Sequence, residues 1–312
     1  MKQSVLDPHG PIAQAILGMG WTLAAVCVVV YILVLAGLAW ALMRRRQPSD
    51  DAPEADRRRT SVVTVLTILT ALTLVALVAA SEVTGRVLDV PEDPRTLTVD
   101  VIGHQWWWEF RYRAGDPSKW TSSPNELHIP VGMPVVLRTS SMDVIHSFWV
   151  PNLTGKRDLI PGQVTNTWIQ ADTAGTYRGQ CAEFCGMAHA KMAFVVVAEP
   201  RATFQAWLEH QRAPAGEPAS DQAARGKDVF LSRQCTLCHA IQGTVAGSRV
   251  GPDLTHVASR LTIGAATLDN ERQPLDQWID NAPFFKPGVR MPSHMLDASE
   301  REAVVTYLRS LE

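Results

Sequence analysis

Two short stretches concentrate residue types that could bind a metal or form a disulfide. "GQCAEFCGMAHAKM", residues 179–192, places Cys181, Cys185, His189, a glutamate and two methionines in one segment. "CTLCH", Cys235–His239, sets two more cysteines beside another histidine. Together they use four of the chain's five cysteines. The fifth, Cys27, lies in an apolar run and reads as a small buried side chain.

C-x-x-C-H is the spacing of covalent haem attachment: the two thiols add to the haem vinyl groups and the adjacent His239 becomes the proximal ligand. A zinc half-site would need a second ligand pair, and no suitable cysteine remains in that part of the chain. A redox dithiol would need a βαβ context, which is missing. A sixth ligand is expected from "KPGVRMPSHM", which offers Met291, His294 and Met295. Met291 is favoured, because it sits in a Pro-bounded loop able to reach across a haem face and a thioether raises the potential. Met295 reads better as a core methionine. "GPDL", Gly251–Leu254, is expected beside His239, where a backbone carbonyl can accept the second ring N–H.

The 179–192 segment admits three readings. A disulfide between Cys181 and Cys185 suits an oxidising compartment but leaves His189 and Met192 unexplained. A β-framework carrying Cys, two His and Met is how a blue-copper site is built, and "DVIHSFWVP" supplies the other histidine, His146. A second thiolate allows two copper ions to be bridged. A Cys₂His₂ zinc site uses similar ligand types, although its second pair does not usually sit in such a strand-plus-loop arrangement.

The elements that must hold these residues follow from patterning. Short alternating runs broken by Gly and Pro, from "TLTVDVIG" to "MAFVVVAE", predict an all-β sandwich or barrel ending near Glu199. "ATFQAWLEH" predicts a short helix, and "QRAPAGEPASD" has linker composition. Beyond Gln222 the pattern becomes helical, the last helix opening at a cap read as Ser299 with Glu302. Phe230 and Tyr307, on the first and last of these helices, are expected to meet. Upstream, Trp21–Met43 and Ser61–Ala80 carry no charge and are long enough to cross a hydrocarbon core of about 30 Å. Arg44, Arg45 and Arg46 close the first run and Arg57, Arg58 and Arg59 open the second. The loop between is therefore expected inside the cell, with the N-terminus and both metal-binding modules outside. Thr64, Thr67, Thr70 and Thr73 recur every three residues, a weak hint of a neighbouring helix in the membrane, since such hydroxyls also bond back to their own helix. A net charge of −2 argues against a nucleic-acid partner.

With these residues in place, the chain from Trp21 to about Glu199 resembles subunit II of haem–copper cytochrome c oxidases, on "GHQWWWEFRY", "DVIHSFWVP", "GKRDLIPG" and "GQCAEFCGMAHAKM". Residues 220–312 resemble a class I cytochrome c at C-x-x-C-H, "GPDL" and "KPGxxMP". The resemblance implies a multidomain membrane protein: a transmembrane hairpin within 1–95, an all-β cupredoxin-like domain over 96–200, a linker at 201–220 and an all-α class I cytochrome c domain over 221–312. It implies dicopper ligation by His146, Cys181, Cys185, His189, Met192 and the backbone carbonyl of Glu183, whose carboxylate would bind a magnesium ion shared with subunit I. Cys235, Cys238, His239 and Met291 would hold one covalent haem c. Trp106 matches the family's surface tryptophan through which electrons reach copper. Trp107 and Trp108 read equally well as packing residues. The expected activity is electron delivery from haem to copper and on to subunit I, which reduces dioxygen with proton translocation. The expected partners are subunits I and III, cytochrome c or another upstream donor, and the lipid of a bacterial inner membrane. A dicopper nitric oxide reductase or a stand-alone membrane-anchored electron carrier are the alternatives.

Overall fold

A computed structural model of the chain describes residues 3–44, 53–91, 93, 96–114, 116 and 120–312, with the side chains of 53–55 left aside. The two uncharged runs form long helices, α1 (Pro11–Met43) and α2 (Pro53–Gly85). Each extends beyond its apolar run, α1 starting at a proline, whose missing N–H costs nothing in a first turn. At about 1.5 Å per residue both exceed the hydrocarbon thickness of a bilayer. Each contains an uncharged stretch of 18 residues or more that is apolar all round, and none of that apolar surface is buried in protein. In α2 the hydroxyls of Thr64, Thr67, Thr70 and Thr73 each donate to the carbonyl four residues back, at 2.8–2.9 Å. Those hydroxyls are satisfied within their own helix, so the three-residue recurrence does not by itself call for a neighbour. Arg45 and Arg46 of the first basic cluster lie outside the described residues.

Residues 14–89 form one compact unit; the N-terminal residues up to Ala13 belong with Val90–Glu312 in the other. In that second unit two five-stranded sheets carry the β module. The first holds β1 (Leu97–His104), β2 (Trp107–Tyr112), β3 (Thr121–Pro124), β5 (Val135–Ser141) and β8 (Thr165–Ile169) in the order β3-β2-β1-β5-β8. The second holds β4 (Glu126–Pro130), β6 (His146–Trp149), β7 (Arg157–Leu159), β9 (Gly175–Cys181) and β10 (Ala193–Glu199) in the order β4-β10-β9-β6-β7. Alternation places one face of each strand inward: in β5, Val135, Leu137, Thr139 and Ser141 are buried and the residues between are only half-buried. The core is aromatic, with Phe148 stacked on Phe194 at 4.8 Å and Trp108 edge-on to Phe194 at 5.2 Å.

Residues before α1 pack onto this module. The His9 amide donates to the Asn152 carbonyl at 2.6 Å, and the Asp172 amide donates to the His9 carbonyl at 2.7 Å. Ile12 is buried beside them. At the other end α3 (Arg201–Gln211) lays Trp207 over His128, ring centroids 3.9 Å apart. His128 sits between Glu126 (3.0 Å) and Glu199 (2.9 Å). Burial depresses its pKa, but the two carboxylates outweigh burial and raise it above 6.5.

The helical module packs α4 (Asp221–Ser232) against α6 (Ala298–Leu308), with α5 (Arg272–Phe285) beside them. Phe230 and Tyr307 meet at 6.2 Å where α4 and α6 cross. α5 departs from helical geometry at Asn281, two residues before Pro283. The cap of α6 is Asp297 with Glu300, a full capping box two residues ahead of the Ser299/Glu302 pair expected from sequence. Asp297 begins an equally good box, and its carboxylate accepts from both the Ser299 and Glu300 amides. β11 (Thr262–Ile263) and β12 (Leu268–Asp269) form a two-residue ladder in an otherwise helical module.

Candidate metal centre

The end of β9, the loop after it and the start of β6 converge. β6 pairs with β9 so that Phe148 faces Cys181, which brings His146 beside the loop. His146, Cys181 and Cys185 place one ligand atom each within 4.8 Å of one another, all three buried. The Cys181 and Cys185 sulfurs stand 3.8 Å apart as free thiols, well beyond the ~2.05 Å of a disulfide. Around them lie His146 Nδ1, 3.9 Å from Cys181 Sγ, and His189 Nδ1, 3.5 Å from Cys185 Sγ. Met192 Sδ is 3.8 Å from Cys185 Sγ, and the Glu183 carbonyl is 3.2 Å from Cys181 Sγ. All six groups singled out in the sequence are thus brought to one place. The short 3₁₀ turn His189–Lys191 returns the chain from His189 to Met192.

Cys181 is the more acidic of the pair, its pKa lowered to about 4, chiefly by the Cys185 thiol, with burial opposing and His146 and the Ser147 amide assisting. Cys185 is driven the other way by that neighbouring sulfur and by burial. Two soft sulfurs, two imidazoles, a thioether and a carbonyl fit copper by donor chemistry.

Asp143, Gln105 and Glu109, unlike Trp106 and Glu183, were not singled out from sequence. Asp143 accepts from His146 Nε2 at 2.8 Å and so leaves Nδ1 for the sulfur side. The signal was present, an acid three residues before the histidine in "DVIH". Trp106 Nε1 and Gln105 Nε2 both donate to the Cys185 carbonyl, at 2.9 and 2.8 Å, fixing the ligand loop from the β1–β2 turn. Beside that turn, Glu109 is held at a pKa of about 2: burial would raise it, but His104 and Arg111 prevail. Glu183 turns its carboxylate outward, half-exposed, 3.5 Å from Lys156 Nζ.

The second site is a cavity of about 280 Å³ lined by Cys235, Cys238 and His239. His239 Nδ1 donates to the Pro252 carbonyl at 2.7 Å, which leaves Nε2 as the free ligand atom. Burial lowers the pKa of this imidazole and keeps it neutral. Gly251 has to be glycine here, because a Cβ would stand 2.9 Å from the His239 ring. Met291 and Met295 both line the cavity, whereas His294 is exposed and pairs with Asp280. A flat macrocycle fits this donor set of two thiols, a neutral imidazole and two thioethers. The cavity is not closed by the helical module alone. His104, Gln105, Trp106 and Trp107 of the β1–β2 turn form part of its wall.

Fold and sites together define a membrane-anchored electron-transfer subunit with a cupredoxin-like module and a cytochrome module. Residues 115–199 match the family described as cytochrome c oxidase subunit II, periplasmic domain, and residues 223–312 match the cytochrome c family. The chain is 36% identical to cytochrome c oxidase subunit 2 of Alkalihalophilus pseudofirmus over 99% of its own length and 91% of that protein's. It is 30% identical to the subunit 2 of Bacillus sp. (strain PS3), covering 72% of this chain and 65% of that one. For Bacillus subtilis subunit 2 the figures are 29%, 69% and 62%. The chain belongs to the cytochrome c oxidase subunit 2 family, in a form that carries its own cytochrome c domain. It is part of an oxidoreductase complex with a haem–copper subunit I, and its two modules imply copper and haem.

Proposed function

We propose that the chain carries electrons into its oxidase through two metal sites of its own. His146, Cys181, Cys185, His189, Met192 and the Glu183 carbonyl would hold two copper ions; Cys235, Cys238, His239 and Met291 would hold one covalent haem c. When bound, these groups supply one-electron chemistry that feeds subunit I, where dioxygen is reduced to water and protons are translocated. The observation that carries this reading is the convergence of four further donor groups on a pair of unbonded sulfurs 3.8 Å apart, beside a second cavity built on C-x-x-C-H.

The protein's own part is to hold its ligands still. Asp143 fixes the His146 ring, and the Pro252 carbonyl fixes that of His239. A buried β-frame limits rearrangement when charge changes, and burial keeps water from the sulfurs. Trp106 bridges the haem cavity wall and the Cys185 carbonyl, which supports it as the residue through which electrons reach copper. The Glu183 carboxylate, turned away from the sulfurs, suits a magnesium ion at the subunit I boundary, with Lys156 giving way on binding. Subunit III and an upstream donor, cytochrome c or another carrier, complete the partners. The location is the bacterial inner membrane, with the N-terminus and both modules on the periplasmic side. Contact of residues 9–13 with the β module supports a common side for both.

Metal analysis and paramagnetic resonance of the purified complex test the assignment. Two copper ions per chain with a shared-valence signal are expected, beside a low-spin c-type haem. Cys185→Ser should abolish the copper signal and leave the haem spectrum intact. One copper ion or none in the wild type would overturn the reading.

A further inference from the structure

Lys286 is the amine that the electron-transfer reading leaves unused, and it occupies an unusual place. It ends α5, opens the "KPGVRMP" loop, and is only 2% exposed. Burying a lysine is costly unless its amine finds acceptors, and burial pulls its pKa down to about 7. Its acceptors come from two modules: Nζ donates to the Trp106 carbonyl at 2.6 Å and to the Gly264 carbonyl at 3.0 Å. An amine donates to both whether it carries two hydrogens or three, so the link holds in either protonation state.

The same loop touches the β module at further points. Arg290 Nη2 lies 3.4 Å from Gln105 Oε1, and the Lys191 amine donates to the Phe285 carbonyl. Gly288, at φ +91, approaches Met187 so closely that a Cβ would stand 3.0 Å away. Each partner on the β side belongs to the turn or the loop that holds the metal donors. Trp106 takes the Lys286 amine on its carbonyl and gives its indole N–H to the Cys185 carbonyl. The haem-cavity loop and the metal-ligand loop are thus joined through one residue.

We propose that Lys286 is a positioning residue for electron transfer between the two modules, holding the cavity loop of the cytochrome module in register on Trp106. The proposal rests on the assignment of haem and copper to the two sites. Lys286 lines the cavity, but its amine is given to the Trp106 and Gly264 carbonyls and it is not one of the donor groups assigned to haem or copper. It fixes the distance and the hydrogen-bonded contact across which an electron passes.

The test uses the purified oxidase complex with Lys286→Met and, separately, Arg290→Met, which loosens the same contact from an exposed position. Electron equilibration between haem and copper after flash reduction is followed, with both midpoint potentials and with amide exchange at Trp107 and Ala265. Equilibration in Lys286→Met is expected to slow by roughly tenfold or more, because small displacements of oriented partners carry large rate penalties. The potentials should be unchanged and exchange at both amides faster. Unaltered equilibration in a variant with full haem and copper overturns the proposal. Should Lys286→Met lose a cofactor, Arg290→Met decides: slower equilibration supports the role and an unchanged rate overturns it. Wild-type complex lacking haem or paired copper would sink the site assignment instead, and exchange alone would then judge the Lys286 link: unchanged exchange in Lys286→Met overturns it and faster exchange supports it.

Discussion

At the scale of single residues, the side chains that touch donors matter as much as the donors. Asp143 accepts from His146 Nε2 and also from the Gln105 amide at 2.7 Å, tying the imidazole to the turn that carries Trp106. Asp143→Asn should leave the fold intact and lower copper affinity about 10–100-fold, the usual penalty for losing such a carboxylate; competition with a copper chelator measures it. The two candidate thioethers separate by a different measurement. Met291→Ala is expected to move the haem midpoint downward by on the order of 0.1 V, a fraction of the ~0.8 V range that axial ligands span. A redox titration showing no movement would transfer the role to Met295, which lines the same cavity.

At the scale of elements, β4, β10 and α3 are clamped by His128. Because its pKa is raised in the folded protein, the stabilisation it contributes is complete below its ordinary value of 6.5 and is lost as pH climbs through the raised one. Thermal unfolding should therefore show wild-type stability falling as pH rises above 6.5 through the raised pKa. His128→Gln should lack that slope and be less stable at pH 6 by about 3 kcal/mol, the scale for breaking a buried ion pair. Much of this level was legible in the sequence. The alternating runs marked the strands, the uncharged runs the long helices, and four short motifs (around His146, 179–192, 235–239 and Met291) the groups that the structure brings together, because local periodicity and ligand spacing are carried by neighbouring residues. What escaped is non-local or degenerate. No spacing rule links Lys286 to Trp106, which lie 180 residues apart. Asp297 and Ser299 both begin acceptable capping boxes, and only the backbone chooses between them.

For the whole molecule, the segment before α1 is held on the β module by backbone hydrogen bonds. Asn152 anchors it from the other side, its amide donating to the Asp7 carbonyl at 2.8 Å. Asn152→Ala should loosen the segment by about 1–2 kcal/mol, seen as roughly tenfold faster amide exchange at Asp172 with both metal spectra unchanged. The wall that Trp106 and Trp107 lend to the haem cavity has a wider reach. A substitution in that turn would reach the cavity wall and the Cys185 loop at once, which couples the sites of the two modules. Grafting a foreign cytochrome onto this copper module would require the borrowed protein to bring its own match for the 104–107 turn.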